Sequence, residues 1–410
     1  MDLMFAGVPQ PVRLVGCENL LPLMQTIIAS WPCAVAEISP DTPPLIEIRH
    51  ADDGRYRIGA SWLEQPMIEY DDVCAVCSFI IDLVRGWIDS NPDFLCMHCG
   101  AAEFGGSLVV FPSVSRAGKS TLIARLAAGG IRAYADDLLP LTAQGEGMSL
   151  GILPRLRLPL PVEAGTRLSS FVGHNEGPSN DRYRYVRMPP QMLAPFGSLC
   201  PIGAFVLLER KFEGGARLER ATRAEAMQHL VRQNFMRDGA AASTFSRLRT
   251  LIDSKPCLRL SFSDLDEVVE ILSRAFGGDA LDAIPGPRDD SAGHREEPDQ
   301  TWIQESSRRR MRERLYRQVP DIAMESLDGE SFLIAPDGNT VLHLNAIGAA
   351  IWNLLARPFG QFEAARLIRE AFPDLDGRRA RRDVRRLFEA MLARGLIRRE
   401  TEPRPSIPSA

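Results

Sequence analysis

Gly118-Lys119-Ser120-Thr121 sets a glycine, a lysine and two hydroxyls in a row, and two adjacent carboxylates follow at Asp136-Asp137. The residues before the glycine, Ser113-Val114-Ser115-Arg116-Ala117, are mostly small. Such a segment, placed where a helix begins, offers consecutive backbone N–H groups as a nest for phosphate oxygens. Gly118 lets the backbone approach the phosphates, Lys119 neutralises their charge, and the Ser120 hydroxyl is a ligand for Mg²⁺. Residues 113–121 therefore form a candidate P-loop, with ATP the expected triphosphate and Mg²⁺ the expected cofactor. Two carboxylates beside a triphosphate can divide the labour, one accepting the proton of an incoming hydroxyl and the other supporting the metal. The plainer reading of Asp136-Asp137 is a capping pair where a strand meets a loop. The order strand, loop, helix, strand, Asp-Asp favours chemistry, and the chemistry is phosphoryl transfer.

Those residues need a strand in front of the loop and a helix behind it. Ser107–Phe111 is a short apolar run that reads as a buried strand, and a helix is expected from Lys119 to Ala128, closed by Gly129-Gly130. Arg132–Ala135 and Ala204–Leu208 read as further strands, Arg223–Asn234 and Ser243–Asp253 as helices. Cys257–Phe262 alternates as a strand, and Ser263–Ala275 reads as a helix with Ser263 its N-cap. Residues 96–275 are thus expected to be an α/β catalytic domain. Residues 1–95 look mixed, with strands at Leu45–Arg49 and Tyr56–Ile58 and an amphipathic helix from Asp71 to Asn91-Pro92; they are assigned to completing the same fold. Residues 276–312, rich in Gly, Pro and charge, read as a linker. In residues 313–400, Ser331–Ile334 and Val341–Leu344 read as a hairpin around Asp337-Gly338-Asn339, and Asn345 as the cap of the first of three helices. The proline-rich tail 401–410 is expected to be loose.

Bulk properties bound the function. The 410 residues carry a net charge of −5, which asks for neither nucleic acid nor an anionic membrane, and no apolar run is long enough to span a bilayer. A cytoplasmic protein without a membrane partner is expected. Eight cysteines include Cys74-x₂-Cys77 and Cys96-x₂-Cys99, a spacing that fits a zinc ribbon. Against zinc, the first pair opens a helical stretch, so buried inert thiols are the expectation.

The segment from His98 to Asp137 resembles the catalytic domain of HPr kinase/phosphorylase and related kinases, more loosely on to about residue 275. His98, Ser115, Gly118, Lys119, Ser120 and Ala135-Asp136-Asp137 fall at that family's spacings, while Ser113 and Arg116 replace its first two loop glycines. The resemblance implies a P-loop kinase fold, with Asp136 the general base, Lys119 on the phosphates, Ser120 and Asp137 on the metal, and His98 lining the site. On sequence alone His98 reads as a packed core histidine. Leu153-Pro154-Arg155-Leu156-Arg157-Leu158-Pro159 resembles the P-R-L-R-L stretch of the HPr-kinase-related proteins not known to act on HPr. Arg155 and Arg157 are candidate contacts to phosphate or an acidic acceptor, against an equally weighted reading as outward strand arginines. Arg182, Arg184 and Arg187 are weaker candidates of the same kind. The resembling kinases are often hexameric, which admits a homo-oligomer; no residue decides it.

Residues 313–400 resemble PqqD, the small winged-helix-like α+β module also called a RiPP recognition element, on the hairpin, Leu344-Asn345-x₅-Ile351-Trp352 and Asp383-Val384. That resemblance implies a leader peptide bound as an added strand against the last helix. The helix carries Arg378, Arg379, Arg381, Arg382, Arg385 and Arg386, a solvated face or an attraction for an acidic leader. The function expected from both parts is a kinase acting on a hydroxyl of a ribosomally made precursor peptide. The alternatives are an HPr-type or small-molecule kinase, a nucleotide-gated peptide-delivery protein without transfer, and a winged-helix DNA-binding regulator, which the negative charge disfavours.

Overall fold

The computed structural model describes residues 1–39, 41–112, 118–161, 164–211, 213–235, 241–278, 281, 284–286, 314–336, 340–371 and 376–400. Two units are present: Met1–Met236 with Arg247–Pro287, and Arg237–Ser246 with Arg288–Ala410. The mixed α/β character expected of the chain is present, in several sheets.

The first unit opens on a six-stranded sheet in the order Cys33–Ala36, Asp2–Phe5, Val12–Val15, Ile46–His50, Tyr56–Ala60, Met67–Glu69. Only the Ile46–His50 and Tyr56–Ala60 strands are expected from the sequence; the other four are three or four residues long and carry too few alternations to read. Leu3, Val12, Leu14, Ile46 and Ile48 face inward, and Arg13 meets Asp2 across the sheet at 2.8 Å, which holds the Asp2 carboxyl below its usual range. The helix Asp72–Ser90 starts where Asp71 accepts the Cys74 N–H at 2.8 Å and stops before Asn91-Pro92. It buries Val76, Phe79, Leu83 and Trp87 in the core of this sheet.

Gly7 shows how closely that helix is fitted. Its φ is +77°, and a Cβ there would lie 2.3 Å from Trp87 Nε1. Left-handed strain and overpacking each cost about 1–3 kcal/mol. Gly7→Ala is therefore expected to destabilise the protein by roughly 2–5 kcal/mol in urea unfolding; a loss within error would show that Trp87 yields freely.

A second, ten-stranded sheet follows. Ser107–Phe111 is buried at four of five positions and lies antiparallel to Gly100–Phe104 and parallel to Leu199–Arg210. Leu199–Arg210 changes partners along its length: its first residues pair antiparallel with Glu146–Met148, and its later ones lie parallel to both Ser107–Phe111 and Cys257–Phe262. Parallel neighbours need a crossover, and the helix Lys119–Ala128 begins the one that leaves Ser107–Phe111. Leu122, Ile123 and Leu126 of that helix pack with Val268 and Leu272 of the helix Leu265–Phe276. Ser263 does not cap the latter: its hydroxyl donates to the Gly214 carbonyl at 2.6 Å, and Asp264 caps by accepting the Asp266 N–H at 2.6 Å. Leu281 and Ile284 pack against the same core, so this unit runs past its expected end at 275. Most of 276–312, all of 401–410 and Asp337-Gly338-Asn339 lie outside the described residues.

The second unit carries more strand than the expected hairpin and three helices. Ala323–Leu327, Glu330–Ile334 and Val341–Leu344 form one antiparallel sheet; Phe359–Gly360, Leu315–Gln318 and Ile397–Arg399 form another. The unexpected Ala323–Leu327 strand is joined to its partner by Asp328-Gly329, both at positive φ (49° and 79°), the two-residue turn whose twist matches a hairpin. Asn345 caps Ala346–Leu354 by accepting the Gly348 N–H at 2.9 Å. Trp352, Leu355, Val384, Phe388 and Met391 are its core, between that helix and Gly377–Ala393. Among the described residues no helix is long and apolar enough to cross a membrane.

Candidate active site and a C-terminal PqqD domain

Gly118 ends the approach to the helix Lys119–Ala128 with φ +91°, and a Cβ there would meet no atom within 4 Å. Conformation rather than crowding therefore calls for glycine at this point. Lys119 is buried, and burial lowers its pKa against the pull of Asp137, Cys99 and Asp136. Ser120 faces a cavity, whereas Thr121 lies with Gly118 and Arg210 along a separate, smaller cleft. Ser113, Val114, Ser115, Arg116 and Ala117 lie outside the described residues.

Strand pairing assembles the carboxylates and the histidine. Asp136 and Asp137 occupy the step between Ala133–Ala135 and Leu138–Leu141. Leu138–Leu141 runs antiparallel to Leu95–His98 with Leu138 opposite His98, and that register sets the His98 ring against the neighbouring Asp137. His98 Nε2 contacts Asp137 Oδ1 directly, and Asp137 is half exposed.

Asp136 sits differently. It is buried, its Oδ2 accepts the Arg155 N–H at 2.8 Å, and its Oδ1 is enclosed without a hydrogen-bond partner. Burial, then the charge of Asp137, pushes its pKa from the ordinary 3.8 up to about 7; the nearby Ser120 hydroxyl, the Arg155 N–H and Lys119 oppose the rise. A carboxyl poised near neutrality with one oxygen unengaged is suited to proton transfer.

The cavity over Asp136 has a volume of about 80 Å³. Ser120, Asp136, Asp137 and Arg155 form its polar end, and aliphatic and tyrosine side chains the remainder. The sequence reading overlooked Tyr185, Tyr134 and Cys77 in its wall. Tyr185 stands opposite Arg155 across the pair Arg155–Arg157 and Tyr183–Val186, and burial pushes its phenol up to about 12, so it remains a hydrogen-bond donor. The alternation of Asp181-Arg182-Tyr183-Arg184-Tyr185 was the available signal; Tyr185 lines the cavity and Tyr183 stacks on Arg155, while the arginines between them do neither. Arg155 reaches the cavity with its guanidinium 4.6 Å over the Tyr183 ring and in contact with Cys77 Sγ. Arg157 is exposed, Arg184 is paired with Glu176 at 2.7 Å, and Arg182 and Arg187 are exposed; none lines the cavity.

Among the described residues no three His, Cys, Asp or Glu side chains gather as a metal ligand set. Cys96 and Cys99 are fully buried, and burial drives the Cys99 thiol far above its usual range. Arg382 and Arg386 belong to the second unit, on the exposed side of Gly377–Ala393 away from Ala380, Val384 and Phe388.

The family model for coenzyme PQQ synthesis protein D (PqqD) matches residues 330–397. That stretch, from the Glu330–Ile334 strand to the start of Ile397–Arg399, is a PqqD domain, as the hairpin and Leu344-Asn345 resemblance implied. The match bears on nothing before Glu330. No curated protein compared with the chain matches it.

Proposed function

We propose that this chain is an ATP- and Mg²⁺-dependent kinase that transfers a phosphoryl group to a Ser or Thr hydroxyl of a ribosomally synthesised precursor peptide, with the leader held by the PqqD domain. The observation that carries the reading is Asp136, a buried carboxyl shifted to about 7, one oxygen unpartnered, beside Ser120 and Lys119 where a helix leaves a sheet.

The residues fit the groups this requires. Gly118 and Lys119 would hold the phosphates. Ser120 and Asp137 would hold Mg²⁺, an ion that takes few protein oxygens and keeps several waters, so a three-residue ligand set is not needed. When bound, the ion supplies charge neutralisation at the transferring group. The remaining work falls to the chain. The Arg155 N–H fixes Asp136 Oδ2, while Oδ1 stays enclosed and unbonded in the cavity wall. Asp136 takes the acceptor's hydroxyl proton as that oxygen bonds to phosphorus and the bond from phosphorus to the departing ADP oxygen breaks. His98 holds Asp137 in place. In the PqqD domain, strand addition would bind the leader, and the exposed Arg382 and Arg386 favour an acidic one.

The test is the full-length protein with Mg·ATP and the precursor peptides encoded beside its gene, read by peptide mass. Gain of a phosphoryl group is the expected result. Tight peptide binding without gain points instead to a delivery protein, and neither binding nor gain removes the peptide from the account.

A further inference from the structure

We propose that the helix Asp72–Ser90 selects the acceptor: the hydroxyl served by Asp136 is presented beside an aliphatic side chain, which seats against Ile80 and Ile81. This rests on the peptide-kinase reading and adds the class of acceptor sequence, together with a role for the N-terminal part of the unit.

The helix turns most of its apolar residues into the core of the six-stranded sheet. Cys77, Ile80 and Ile81 are spaced i, i+3, i+4 and form one face, and all three line the cavity above Asp136. Ile81 is 44% exposed, in a helix whose other aliphatic side chains are largely covered. A single exposed isoleucine is ordinary on a protein surface. This one lines a cavity that Asp136 also lines, and Leu150, Ile152 and Leu153 add to its apolar lining.

The cavity of about 80 Å³ is roughly half the ~150 Å³ that an aromatic ring fills in an apolar protein cavity. A hydroxyl-bearing side chain with a small aliphatic neighbour is of a size to use such a space. The helix is also tied to the base itself. Cys77 Sγ contacts the Arg155 guanidinium, and the Arg155 N–H is the bond that orients Asp136. Selection wall and proton acceptor are therefore held by one residue.

The experiment uses full-length protein, saturating Mg·ATP and synthetic peptides with one serine flanked by Leu or Val, by Gly, or by Asp or Lys. Aliphatic-flanked peptides are expected to give kcat/KM about 10–100-fold above charged-flanked ones, the range one or two methylene-sized contacts provide. Ile81→Asp should raise KM for the aliphatic peptides about tenfold or more and leave KM for ATP unchanged, and Ile81→Leu should restore it. Even transfer across the whole set overturns the selection proposal alone. A rise in KM for ATP with Ile81→Asp also overturns it, because the wall then serves the nucleotide. Transfer to no peptide at all removes the peptide-kinase reading and this proposal with it.

Discussion

Asp136→Asn is expected to reduce phosphoryl transfer by about 10²–10⁴-fold while leaving nucleotide affinity within a factor of about two. The amide keeps an oxygen for the Arg155 N–H, so the local geometry survives, but it cannot take a proton. Transfer read by peptide mass, set against ATP binding by calorimetry, separates the two quantities. Full activity in the variant would refute the base assignment. The wild-type rate should carry the same signature in pH: a general base at Asp136 would act only when ionised, so kcat/KM should climb about tenfold per unit below about 7 and level off above it. Stability should move the other way. A carboxyl whose pKa is raised in the folded state favours folding fully below its unfolded value near 3.8, and that contribution is lost as pH rises through about 7. The Asn variant should therefore unfold at higher denaturant than wild type at pH 8, by roughly 2–4 kcal/mol, with the gap closing toward pH 4. A catalytic group held at the expense of stability is the trade expected of an active site.

Removing the leader from the precursor peptide is expected to raise KM by about 10²–10⁴-fold with kcat little changed. A leader held by the PqqD domain makes delivery of the acceptor intramolecular, and a leaderless peptide returns it to free solution. The protein itself is unaltered in this comparison, so folding does not confound it. Replacing Arg382 and Arg386 by Glu should reproduce part of the effect. Both are exposed, and Arg382 meets Asp383 at 3.9 Å. The loss should shrink as salt is added, because exposed charges are screened beyond about 10 Å at 0.1 M. Equal KM for the two peptides would detach the PqqD domain from the reaction.

The elements around the phosphate-binding segment were legible because their signals are local. Ser107–Phe111 is an unbroken apolar run, Lys119–Ala128 ends at a double glycine, Cys257–Phe262 alternates, and Asn345 precedes an apolar period. The Asp136-Asp137 pair could be singled out for the same reason. What put it in contact with His98 is the pairing of Leu95–His98 with Leu138–Leu141, some forty residues apart, and no local pattern encodes such a register. The cavity wall was hidden more deeply. Ile80 and Ile81 read as two more apolar residues of an amphipathic helix, and only packing shows that they also line the cavity that holds Asp136. The arginines of the 182–187 segment drew attention by charge, while the alternation of the strand turned Tyr183 and Tyr185 toward Arg155.

Leu199–Arg210 belongs at once to the antiparallel pairing with Glu146–Met148 and to the parallel layer that carries Ser107–Phe111. Neither layer can fray without breaking bonds to the same twelve-residue strand. The strand that leads into the candidate phosphate-binding segment and the strands behind the cavity at Asp136 should then melt as one cooperative block. In hydrogen–deuterium exchange, the amides of Ala204–Leu208 should open only with global unfolding, and those of Ser107–Phe111 should open with them. The two candidate sites should therefore be lost in one event rather than in turn.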